Sequence, residues 1–74
     1  MIKKGEYYHY KQKTTRGYYE AIVKVKKGQQ DDYFWGDAIN VIQNPVNWKN
    51  SNITFHIKSI IKEITKETNP EYFL

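Results

Sequence analysis

The side chains with the best chance of doing bond chemistry are His9, His56, Ser51, Ser59, Asp31, Asp32 and Asp37. There is no cysteine, so no thiolate nucleophile, disulfide or thiolate metal site is available. A serine nucleophile needs a base within hydrogen-bond reach, and neither serine stands in a nucleophile motif. The two histidines fall in separate segments among polar neighbours and read as surface residues. Asp31-Asp32 with Asp37 could imitate a divalent-cation loop, but an acidic pair in a turn is more simply a turn-initiating cap. No glycine-rich phosphate loop is present. The chain therefore reads as non-enzymatic, with no metal and no cofactor implied.

Binding chemistry is better represented. Eight of the twelve aromatic residues lie in the first 35 positions: Tyr7, Tyr8, Tyr10, Tyr18, Tyr19, Tyr33, Phe34 and Trp35. The same half carries the positive charge. Residues 1–27 hold eight Lys/Arg against two Glu, whereas residues 28–74 hold four Lys against six Asp/Glu. Flat amphipathic rings give contact area at low entropy cost, and cations between them suit phosphates or acidic surfaces. The candidate binding residues are Tyr8, Tyr10, Lys13, Arg16, Tyr18, Lys24, Lys26, Phe34 and Trp35. Lys13 with Arg16 and Lys24 with Lys26 are expected at opposite ends of one hairpin ladder. Only one of Phe34 and Trp35 can face the core of an alternating strand, so the other is exposed. Trp48, in a polar loop, is a further exposed-aromatic candidate.

The elements that must position these residues are short. Residues 6–12 have strand propensity and no helical period. Thr14-Thr15-Arg16-Gly17 is a turn signal. Residues 18–26 alternate, with Tyr19, Ala21, Val23 and Val25 on the inner face and Tyr18, Glu20, Lys24 and Lys26 on the outer; Ile22 is the exception. A turn at 27–32 leads to a third strand, Tyr33 to Ile42, in which Gly36-Asp37 marks a bulge or bend. Residues 44–51 are loop. From Ile53 two readings compete. Ile57, Ile60, Ile61 and Ile64 have helical spacing and predict an amphipathic helix over 53–68. Alternation of Ile53, Phe55 and Ile57, with five Ile and two Thr between 53 and 65, predicts a strand, one tight turn at 58–60, and a closing strand near 61–65.

The second reading gives a mainly-β fold of five short strands. Ile53-Thr54-Phe55-His56-Ile57-Lys58-Ser59-Ile60, followed by Glu63-Ile64, resembles the end of the small SH3-like barrels, where an alternating strand runs through a single turn into a short closing strand. That resemblance implies a five-stranded barrel or curled antiparallel sheet, and the alternative is three or four strands plus a C-terminal helix at 53–68. Asn69-Pro70-Glu71-Tyr72-Phe73-Leu74 resembles the ends of small uncharacterised phage and prophage proteins of low-GC bacteria. That likeness implies a host-directed accessory role and assigns no residue a function. Eleven Lys against one Arg fits AT-rich coding.

Seventy-four residues make one small domain, 1–74, with 69–74 as its tail. No apolar run approaches the ~20 residues that cross a bilayer, and no leader pattern is present, so the expected location is the cytoplasm, the host's if the chain is phage-encoded. The expected function is binding and modulation or inhibition of a host protein. The alternative is a nucleic-acid-binding module that uses the basic, aromatic N-terminal hairpin. No membrane partner is expected.

Overall fold

Alternating side chains dominate the computed structural model, which describes residues 1–73. Five antiparallel strands form one sheet: β1 (Tyr7–Thr14), β2 (Gly17–Gln30), β3 (Tyr33–Gln43), β4 (Ile53–His56) and β5 (Ile60–Ile64). Their order across the sheet is β4-β3-β2-β1-β5. The fold is mainly β, and no α-helix occurs among the described residues.

The helix reading of 53–68 is corrected. A 3-10 turn, Ile57–Ser59, separates β4 from β5 and resets the phase of the alternation. The four isoleucines that mimic a helical stripe go to different places. Ile57 and Ile60 pack on the core, Ile61 is 55% exposed, and Ile64 is 3% exposed.

The inner face is continuous through the register. Tyr8 stands opposite Val23 and Tyr10 opposite Ala21, while Val23 and Val25 stand opposite Ala38 and Gly36. Phe34 stands opposite Phe55. With Tyr19 and Ile2 these residues build the core. The sheet curls on itself. β1 and β4 are three strand spacings apart, about 14 Å in a flat sheet, yet the Tyr10 and Phe55 ring centroids are 4.8 Å apart. The His56 backbone N–H also donates to the Tyr10 hydroxyl at 3.0 Å.

Bulges drive that curl. The register of β2 with β3 shifts four times and that of β1 with β5 once. Ile39, Ile42 and Ile61 are residues skipped by the pairing, and all three are exposed. An unpaired residue steps out of the alternation, which is how an apolar side chain reaches solvent here. Lys26 is the skipped residue opposite the Gly36–Trp35 step, so the extra residue lies on β2 and not at Gly36-Asp37. Gly36 answers a different need: a Cβ there would lie 2.2 Å from the Lys24 carbonyl oxygen. The first turn is Thr15-Arg16 alone, with Gly17 at φ 116 and the Thr14 hydroxyl donating to the Gly17 carbonyl at 2.7 Å.

The outer face is partly covered too. After β5 the chain ends in a second 3-10 turn, Pro70–Phe73. The Tyr72 hydroxyl accepts from Asn40 Nδ2 at 2.9 Å, and the Phe73 ring lies 4.9 Å from Tyr7. Tyr72 and Phe73 therefore pack on the sheet; Leu74 lies outside the described residues. Ile22 and Ile64 are buried and stand outside the main core cluster. Their register with His9 and Tyr7 places them on this outer face. That explains Ile22, the exception to the alternation of β2.

Candidate functional site

Of the nine residues chosen from the sequence, three are corrected to the core. Tyr10 and Phe34 are 0% exposed and Tyr8 is 8% exposed. The cause is strand parity: Tyr8 and Tyr10 share the face of Val23 and Ala21. Their hydroxyls are satisfied internally, Tyr8 donating to Glu6 at 2.8 Å and Tyr10 to Gln12 at 2.6 Å. Burial, with the nearby Glu6 carboxylate, pushes the Tyr8 phenol well above its ordinary range. Burial also raises Tyr10 and Tyr19.

The other six are at the surface but do not converge. Lys13 pairs with Tyr18 at one end of the β1–β2 ladder and Lys24 with Tyr7 at the other, about 20 Å away at the usual strand rise. Between them His9 and Glu20 are hydrogen-bonded at 2.6 Å, and the Tyr72–Phe73 turn lies against Tyr7. Lys26 is 3.7 Å from Asp37 and bonded to Asn52 at 3.0 Å. Cation–ring pairs do form: Lys11 over Tyr18 at 4.8 Å, Lys24 over Tyr7 at 5.6 Å and Lys27 over Trp35 at 5.2 Å. Lys11 and Lys27 belong to the basic groups that flank the first turn and end the second strand in the sequence, but they are not among the nine candidates.

A second constellation surrounds the open edge of β4. A cleft of about 340 Å³ is lined by Gln12, Trp48, Lys49, Ile53, Thr54 and His56. That volume lies in the range of small-ligand and side-chain pockets. Trp48 is fixed by Asn44: the Asn44 side chain accepts from the Trp48 N–H at 3.0 Å and donates to its carbonyl at 2.8 Å. The indole then rests 4.8 Å from the Tyr19 ring. Gln12 is fixed through its carbonyl, which Tyr10 engages. The register carries the surface beyond the cleft. Thr54 stands opposite Trp35 and His56 opposite Tyr33, with the Tyr33 and His56 rings 4.6 Å apart. Tyr33 is exposed and Trp35 half-buried, so Trp35 is the outward member of the Phe34-Trp35 pair.

Against the cleft-lining Trp48 packs the buried Tyr19 ring, whose hydroxyl has no hydrogen-bond partner among the described residues. Its cross-strand neighbour is Gln12 and its ring neighbour is Trp48. The sequence signal for the cleft was weak, because Gln12, Lys49 and Thr54 look like ordinary surface residues. Only the closure of β4 toward β1 brings them together.

Among the described residues no three His, Asp or Glu side chains gather as a metal site, and no helix is long and apolar enough to cross a membrane. Comparison with protein-family models, curated proteins and solved structures returns no significant match.

Proposed function

We propose that this protein is a non-enzymatic binding module whose partner is a protein. The observation that carries the reading is the surface formed by Tyr33, Trp35, His56 and Trp48 around the β4 cleft. Aromatic side chains of this type are the favoured anchors of protein interfaces. The strand order and the single 3-10 turn before β5 support the SH3-like resemblance, and such small barrels present binding surfaces on a rigid sheet. With the phage-like C-terminal segment, this favours an accessory protein that modulates or inhibits a host protein in the host cytoplasm.

Affinity capture from a low-GC bacterial lysate, before and after nuclease treatment, tests the reading. A protein retained after nuclease, and retained at least about tenfold less by Trp35→Ala, is the expected result. Retention that vanishes with nuclease sinks it.

The interleaving of Lys11 with Tyr18 and of Lys24 with Tyr7 favours a second reading, nucleic-acid binding through the outer face of β1 and β2. Such binding should weaken steeply between about 50 and 200 mM salt. It should be lost when Lys13, Arg16, Lys24 and Lys26 are changed to Glu.

A further inference from the structure

The free edge of β4 carries a backbone rung that no described residue engages. The Ile57 N–H donates to the Asp32 carbonyl at 3.0 Å, toward the β3 side. The His56 N–H turns the other way and donates to Tyr10. In an antiparallel pair the backbone groups alternate between the partner strand and the open side. Phe55 therefore bonds toward β3, and Thr54 turns both its N–H and its carbonyl away from β3. Thr54 is exposed and lines the cleft. On either side of it the backbone N–H groups are engaged. The His56 N–H is taken by Tyr10, and the Asn52 N–H donates to Asp37 Oδ1 at 2.9 Å. The edge thus accepts one full rung and resists the longer pairing that leads to aggregation.

The side chains around that rung specify what can join it. Lys49 is the permanent charge among the lining residues, and among the described residues no carboxylate lines the cleft. The Gln12 carbonyl is occupied by Tyr10, which leaves its amide N–H groups as donors. The Trp48 indole adds another donor, and Ile53 with the Trp48 ring supplies an apolar wall. A donor-rich, cationic cleft with an apolar wall and one exposed rung fits a short extended segment with acidic and aliphatic residues in alternation.

We propose that the β4 cleft binds a short, extended, acidic segment of a partner protein by strand addition at Thr54. This rests on the protein-binding reading above and names the chemistry of the segment it recognises.

The probe is a blocked, fluorescein-labelled heptapeptide alternating Glu with Val or Ile. Its counterparts are the same peptide with Lys for Glu and a labelled oligothymidylate of similar length. Fluorescence anisotropy should show the acidic peptide binding at least about tenfold more tightly than either. Thr54→Pro removes the outward N–H at an edge position where proline is tolerated. It should keep the parental circular dichroism and weaken the acidic peptide at least about fivefold. Lys49→Glu should weaken it at least about tenfold. In the parental protein, amide exchange at Thr54 should slow when the peptide is bound, a readout that does not depend on any variant folding. Equal binding of the two peptides, tighter binding of the oligothymidylate, no peptide binding, or unchanged exchange at Thr54 would each overturn the proposal. If the peptide fails but Trp35-dependent capture of a nuclease-resistant partner persists, strand addition falls and the protein-binding reading stands. If both fail, the reading itself is wrong.

Discussion

Tyrosine has two uses in this chain, and parity separates them. Tyr8, Tyr10 and Tyr19 are buried, whereas Tyr18 and Tyr33 are exposed. The sequence marked Tyr19 as core because apolar residues follow it at every second position. It did not mark Tyr8 and Tyr10, because Tyr7-Tyr8-His9-Tyr10 offers no contrast between an apolar and a polar face. The buried phenols have a pH consequence. Burial raises all three above the ordinary value of 10.0, so the fold holds their protons more tightly than the unfolded chain does. Their contribution is complete below that value and drains as pH climbs past it toward the raised folded values. The protein should lose stability above about pH 10. Part of its tyrosinate absorbance should appear only together with loss of the β-sheet dichroism. Full tyrosinate absorbance in a still-folded protein would contradict the burial of these rings in solution.

At the scale of elements, bulges decide which isoleucines matter. Ile61 and Ile64 belong to one apparent helical stripe in the sequence, and a helix would make both costly to replace. In the sheet, Ile61 is the residue skipped by the pairing with β1 and Ile64 is buried on the outer face. Ile61→Lys should change the free energy of urea unfolding by less than about 0.5 kcal/mol. Ile64→Ala should cost about 2–4 kcal/mol. Comparable losses for the two would restore the helix reading. The five strands and the turn before β5 were legible because alternation and β-branching agree there. The bulges were not, because a skipped residue leaves no local signature beyond an apolar side chain out of phase. The cleft was illegible for a related reason, since Gln12 and Thr54 meet only through the curl those bulges create.

For the whole molecule, the sheet has cover on both faces. The core fills the inside, and the 3-10 turn at Pro70–Phe73 covers part of the outside. A chain this short buries only about 60% of its unfolded surface, so the outer layer is a sizeable share of its stability. Removal of residues 69–74 takes away the Tyr72–Asn40 hydrogen bond and the Phe73–Tyr7 contact. It should lower the unfolding free energy by about 1–3 kcal/mol. If the reading in which the outer face binds nucleic acid is right, the same truncation should also improve that binding by uncovering the Tyr7 end of the basic face. Unchanged stability on truncation would mean that the turn contributes no net cover in solution.

The strand order also has a consequence in time. β4, β3, β2 and β1 follow one another as adjacent hairpins, so their contacts are local in sequence and close quickly. β5 must return from the far end of the chain to lie beside β1. Its five residues are held by that single strand pair and by the turns on either side. β5 should therefore be the last strand to join on folding and the first to leave on partial opening, its amides exchanging together and ahead of those of β2. During each such excursion the Tyr7-to-Tyr10 edge of β1 is bare, so the molecule's exposure to misassociation is set by how often one short strand lets go.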